Sequence, residues 1–283
     1  MAEFADKVAI IVGGASGVGR ATAEALGRLG CRLVIADLGC APDGTGHDPD
    51  VVADTAQQLE AVGAEVLALA LDAAQPASAH ELVEAALARF GRVDLGVYCA
   101  GFHHERALLR GGGEAELERV LAVHLFGPMR FTQELARALV AAKSAGSIVL
   151  TTSAAGFFGS AGHGALAVAS GGLVGFVKTA ATELRRHKIR VNALVPTART
   201  RLTEQLPLFA SIRAESLTPG HVAQGICHLL SEAAADVLGE VIGVAGGRIY
   251  AFRHAETSGA FLEGDELPSL ASIAASWRDV TRR

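Results

Sequence analysis

The chain has 283 residues, 50% apolar and 19% charged, which is enough for one large domain with a sizeable core. Its net charge is −5, from 25 basic and 30 acidic residues, so neither nucleic acid nor an anionic membrane is expected as a partner. Four scattered cysteines (Cys31, Cys40, Cys99, Cys227) form no CxxC pair and read as reduced thiols of a cytoplasmic protein, not a disulfide frame or zinc site. The N-terminal segment carries Glu3 and Asp6 and lacks the basic flank of a secretory signal. No apolar run reads as long and uninterrupted enough for a membrane span.

Apolar runs at Val8–Val12, Arg32–Ala36, Glu65–Leu71, Leu95–Cys99, Ser147–Thr152, Arg190–Val195 and Glu240–Val244 predict strands covered on both faces. Between them, helical patterns occupy Arg20–Leu29, Ala77–Phe90, Glu114–Val140, Gly171–Arg186 and His221–Ser231. This alternation predicts an α/β fold: a single doubly wound, Rossmann-type domain over residues 1–251, with a parallel sheet of about seven strands. Gly39–Asp50, rich in Gly, Pro and Asp, reads as an exposed loop after the second strand. Residues 252–283 form a more polar C-terminal extension, with one helix expected near Leu267–Trp277.

The segment Gly13-Gly14-Ala15-Ser16-Gly17-Val18-Gly19 follows the first strand and opens the first helix. Glycines at this spacing allow a tight turn and close backbone approach to a pyrophosphate. The helix N-terminus then offers free N–H groups to the phosphates. Asp37 ends the second strand, placed to bond the adenine-ribose hydroxyls. A carboxylate there repels a 2′-phosphate and no basic residue follows it, so NAD(H) is favoured over NADP(H).

In these motifs the chain resembles the short-chain dehydrogenase/reductase family, over roughly Lys7 to Tyr250. VGGASGVG is similar to the family's glycine motif, with Val12 in place of the usual Thr. Asp72, followed by Ala73, matches the acid that contacts adenine. Tyr98-Cys99-Ala100-Gly101 stands where the family has Asn-Asn-Ala-Gly. Val191-Asn192-Ala193-Leu194-Val195-Pro196 matches the segment that shapes the nicotinamide pocket. ADLG after the second strand, VHL at Val123–Leu125 and the PTARTRLTE run resemble the hydroxyacyl-CoA dehydrogenase branch of multifunctional β-oxidation enzymes. The resemblance implies cofactor contacts at Gly13, Ser16, Gly17, Val18, Gly19, Asp37, Asp72, Ala73, Ala100, Gly101 and Pro196.

The catalytic pattern departs from the family. The resemblance implies an Asn, a Ser, a Tyr and a Lys, with the Tyr exchanging a proton with the substrate oxygen and the Lys lowering its pKa. Ser153 keeps the Ser position, and His124 replaces the Asn, as in the β-oxidation branch. Leu166 falls at the Tyr position and Ser170 at the Lys position. A leucine has no transferable proton, and a serine carries no charge. His163, three residues before Leu166, is the best substitute acid/base, because imidazole titrates near neutrality. No partner acid for it is evident, and a loop histidine bonded to backbone or solvent is the bland alternative. Tyr98 and Cys99 read as core residues. His103-His104-Glu105 follows the fourth strand; adjacent histidines diverge and chelate poorly without further ligands, so no metal is expected, and the segment reads as a polar pocket rim with proton transfer by His103 or His104 left open.

Three functions fit the sequence. One is an oxidoreductase with an atypical site, acting on a bulky apolar or acyl-CoA- or steroid-like hydroxy/keto substrate. Another is a non-redox enzyme performing dehydration, isomerisation or cyclisation. The last is a cofactor-binding pseudoenzyme in a hetero-oligomer with an active homologue. The apolar run Gly171–Leu184, read with the resemblance, implies a homodimer or homotetramer.

Overall fold

The computed structural model describes residues 2–110, 113–261 and 267–281. The chain forms two compact units, Met1–Ala251 and Phe252–Arg283.

In the first unit the elements run β1 (Val8–Val12), α1 (Gly17–Arg28), β2 (Arg32–Asp37), α2 (Asp50–Glu60), β3 (Val66–Ala70), α3 (Ser78–Phe90) and β4 (Leu95–Tyr98). There follow α4 (Glu114–Leu121), α5 (Gly127–Ala141), β5 (Gly146–Thr151), α6 (Ala155–Phe158) and α7 (Gly164–Leu184). The unit closes with β6 (Ile189–Thr197), α8 (Pro219–Leu230), β7 (Val241–Ala245) and β8 (Arg248–Ala251). The sheet order is β3-β2-β1-β4-β5-β6-β7-β8. The pairings from β3 to β7 are parallel, and β8 adds an antiparallel edge strand to the seven expected. Helices α1, α2 and α8 pack on one face, α3, α5 and α7 on the other. The central strands β1 and β2 are therefore buried almost throughout, as their unbroken apolar runs require.

Three elements differ from the sequence reading. The pattern Glu114–Val140 is not one α-helix: Ala122–Phe126 forms a π turn between α4 and α5, with Gly127 N–H bonded to the Ala122 carbonyl. Pro128 cannot donate to the carbonyl of His124 four residues back, so the ladder shifts there. Helix α2, with Val52, Thr55, Ala56 and Leu59 buried, was not anticipated after the loop. Helix α7 starts at Gly164, a full seven residues before the expected Gly171, and so carries Leu166 and Ser170 on its first turns.

By length and composition alone Gly164–His187 is long and apolar enough to cross a bilayer. In this fold α7 instead packs on β6 and α6 and buries Leu173, Val174, Val177 and Ala181. Its length and apolarity follow from serving as a core helix.

Among its described residues the second unit contains one helix, α9 (Leu270–Thr281), close to where the sequence placed it. Within that unit Thr257 Oγ1 donates to the Val280 carbonyl at 2.6 Å.

Candidate active site

A cavity of about 580 Å³ opens at the carboxyl ends of the strands, where the order reverses between β1 and β4. The β1–α1 turn forms one wall. Gly13 has φ +78°, and a Cβ there would stand 2.5 Å from the Ala100 nitrogen; a Cβ at Gly19 would overlap the Gly13 carbonyl. Only glycine permits these approaches. Ser16, Gly17 and Val18 line the cavity, whereas Gly19 lies behind them, packed under the turn. Ser16 precedes α1 without capping it through its side chain, so its hydroxyl and the first helical amides are available to an anion.

Asp37 closes the next edge of the cavity. Its Oδ2 accepts from Ala15 N–H at 3.0 Å and its Oδ1 from Gly39 N–H at 2.9 Å. These bonds fix the carboxylate, and each oxygen keeps a lone pair for a hydroxyl. Asp72 is held similarly, by Ala74 N–H at 2.9 Å and Gln75 Nε2 at 3.1 Å. With Ala73, Ala100, Gly101 and Pro196 it completes the part of the wall predicted for a dinucleotide. A phosphate-accepting turn, a ribose-facing carboxylate and an adenine-side carboxylate in one continuous wall fit that ligand.

Ser153, His163, Leu166 and Ser170 line the same cavity. Ser153 Oγ accepts from Ala155 N–H at 3.2 Å at the start of α6. Leu166 and Ser170, one helical turn apart, share a face of α7. His163 stands immediately before that helix, its Nδ1 2.9 Å from the Ala161 carbonyl and 3.2 Å from Ser160 Oγ. The carbonyl can only accept, so it holds the ring proton on Nδ1 and leaves Nε2 with its lone pair.

His163 bonds the backbone and Ser160, the bland alternative weighed from the sequence, and a second loop lies against it. A backbone bridge pairs Arg106 with His163, and Arg106 N–H donates to the Gly162 carbonyl at 2.6 Å. This brings the His103 ring edge-on to His163 at 5.4 Å, with Glu105 3.9 Å from His103 Nε2. His104 points elsewhere, 3.5 Å from Glu116.

Neither Tyr98 nor Cys99 supplies proton transfer. Tyr98 is buried, donates to the Val123 carbonyl at 2.7 Å, and has its hydroxyl pushed above the ordinary tyrosine range by burial. Burial also pushes the Cys99 thiol up to about 12, so it carries no thiolate. Among the described residues, no tyrosine or lysine lines the cavity.

His124, on the π turn, has part of its surface on the cavity, yet its ring is enclosed against Gly101 and Phe102. Its Nε2 accepts from Phe102 N–H at 3.3 Å, and burial pushes its pKa down to about 4. The folded state thus keeps it neutral where the unfolded chain takes up a proton. That contribution is fully present above the ordinary histidine value of about 6.5 and is lost as the pH falls toward 4. Its ceiling is about 3 kcal/mol, discounted because the ring borders a water-accessible cavity. In urea unfolding from about pH 7 to 4, His124→Asn should lose less stability than the wild type by up to that amount. Parallel pH profiles would remove this account.

Several lining residues were not anticipated. Arg119 stacks on Phe102 at 4.6 Å and donates to the Asp43 carbonyl at 2.6 Å. Arg201 donates to the Cys40 carbonyl, and its buried Nε has no hydrogen-bond partner. The two arginines hold the Gly39–Asp50 loop so that Cys40 and Gly44 reach the cavity. Arg201 stands in the PTARTRLTE run singled out from the sequence, although its loop contact was not foreseen, and nothing local marks Arg119; both contacts depend on the distant loop.

Residues 7–207 match the family model described as short chain dehydrogenase. The chain belongs to the short-chain dehydrogenase family. It is 33% identical over 258 residues to the hydroxyacyl-CoA dehydrogenase ChsB1 of Mycobacterium tuberculosis, covering 87% of this chain and 80% of that one. It is 32% identical over 256 residues to the mouse (3R)-3-hydroxyacyl-CoA dehydrogenase, covering 85% and 95%. A crystal structure of a short chain dehydrogenase from Mycobacterium avium superposes with a TM-score of 0.84 at 28% identity, covering 98% of this chain and 95% of that one. This short-chain dehydrogenase therefore resembles the hydroxyacyl-CoA branch. Along α7, Leu166 and Ser170 line the cavity.

Proposed function

We propose that this protein is an NAD(H)-dependent oxidoreductase for a bulky apolar hydroxy/keto substrate of the hydroxyacyl-CoA class, with His163 as its acid/base. The observation that carries the reading is a single cavity lined by both the dinucleotide wall and Ser153, His163, Leu166 and Ser170. The relatives named as hydroxyacyl-CoA dehydrogenases support the substrate class. NAD(H), when bound, supplies the hydride acceptor or donor.

The chain's own residues supply the rest. Gly13, Ser16, Gly17 and Val18 hold the pyrophosphate, and Asp37 the ribose hydroxyls. Ser153 orients the substrate oxygen. His163 Nε2 takes the hydroxyl proton during alcohol oxidation and returns it during ketone reduction. Leu166 leaves the pocket apolar where the family places a tyrosine, which suits an acyl chain. Exposed Phe158 on α6 and Val168 on α7 support assembly as a homodimer or homotetramer.

Calorimetric titration with NADH and NADPH, followed by turnover of a 3-hydroxyacyl-CoA, tests the proposal. NADH is expected to bind at least about tenfold more tightly than NADPH, through Asp37 repelling the 2′-phosphate. Asp37→Ala should narrow that ratio. Failure to bind either dinucleotide would sink the reading, and binding without turnover on any alcohol or ketone would sink its redox half.

A further inference from the structure

We propose that His103, Glu105 and His163 form a binding site for a divalent transition-metal ion of the zinc type at the rim of the cavity. One nitrogen of each imidazole and one carboxylate oxygen lie within 4.8 Å of one another. The sequence separates His163 from the other two by nearly sixty residues, and the Arg106–His163 bridge brings them together.

The donor set selects the ion. Two imidazoles and one carboxylate suit zinc and its neighbours, whereas calcium and magnesium prefer all-oxygen shells. Donors about 2.0–2.1 Å from a tetrahedral ion stand about 3.4 Å apart, so the cluster, spread over up to 4.8 Å, must contract by up to about 1.4 Å. The His103–Glu105 pair is already at 3.9 Å. Glu105 has its side chain 64% exposed and can swing the remaining distance without breaking a buried contact.

The surroundings hold the donors in place. The Ala161 carbonyl bonds Nδ1 of His163, the outer-shell contact that orients a ligating imidazole and leaves Nε2 for the ion. His103 is anchored through its backbone, its N–H donating to the Pro42 carbonyl at 2.7 Å. Gly162 lets Glu105 approach: a Cβ there would stand 2.9 Å from Glu105 Cγ. Three protein ligands leave a fourth position for water or another small ligand. His103 and His163 both line the cavity, so the ion sits at its entrance. An ion and a proton compete for the same lone pair of His163, so the proton transfer proposed above belongs to the metal-free protein.

The test is a titration of the full-length chain, stripped of metal, with Co²⁺ as a spectroscopic stand-in for Zn²⁺. The expected result is visible ligand-field absorption saturating at one Co²⁺ per chain and abolished by competing Zn²⁺. His103→Ala, Glu105→Ala and His163→Ala should each weaken Co²⁺ binding by at least about tenfold. His104→Ala should not, because His104 faces Glu116. All four side chains are partly exposed, and metal-free melting curves verify that each variant is folded. Absence of the bands, equal binding by the three variants, or an equal loss on His104→Ala would overturn the proposal. The readout needs neither dinucleotide nor turnover, so its failure is distinct from failure of the redox reading.

Discussion

His163→Ala is expected to reduce hydroxyacyl-CoA oxidation by about 10²–10⁴ in kcat while leaving NADH affinity unchanged, since a positioned acid/base contributes that much. The dinucleotide wall and His163 lie on different segments of the cavity, so the two readouts separate. The wild-type ring has one nitrogen committed to the Ala161 carbonyl and the other able to exchange a proton. Added free imidazole should restore part of the rate lost in His163→Ala. A fall in kcat that imidazole does not rescue would mean that His163 only shapes the loop before α7. Unchanged turnover would remove it from the chemistry.

Much of this architecture is legible in the sequence because its signals are local. The β1–α1 turn needs glycine at Gly13 and Gly19 for steric reasons that hold wherever such a turn occurs. Asp37 is found by its place at the end of β2, and the buried strands by their apolar runs. The two missed elements also had local signals. Gly246-Gly247 between β7 and β8 is a two-residue hairpin turn, and Val52, Ala56 and Leu59 follow helical spacing.

Other features depend on long-range placement. The start of α7 is obscured by its glycines, yet the close approach that requires glycine is on the α6 side, where a Cβ at Gly156 would stand 2.6 Å from the Gly171 nitrogen. The His103–Glu105–His163 cluster exists only through a bridge between two loops. No spacing rule reaches across that separation. His124 shows the converse: its position was recognised, but only its enclosure shows that it stays neutral.

The second large effect tests the assignment of Leu166 and Ser170 directly. In a His163→Ala background, Leu166→Tyr with Ser170→Lys should recover turnover by about 10²–10⁴, the contribution of a positioned acid/base. The two positions face the cavity one helical turn apart, so the introduced groups would share the side of the substrate oxygen that Ser153 also lines. Ser170 is only 3% exposed, and the longer side chain must extend along α7 into the cavity of about 580 Å³. Leu166→Tyr alone should recover less, because a phenol near its ordinary pKa of about 10 is a poor base at neutral pH without an adjacent cation. Ser170→Lys alone supplies the cation but no group at the substrate oxygen. The double-mutant cycle should therefore give a strong positive coupling between the two sites. Additive effects, or a double variant that binds NADH without recovering turnover, would show that these positions do not occupy the proton-transfer face. Recovery would mean that what separates this chain from the family's usual chemistry is confined to one turn of one helix.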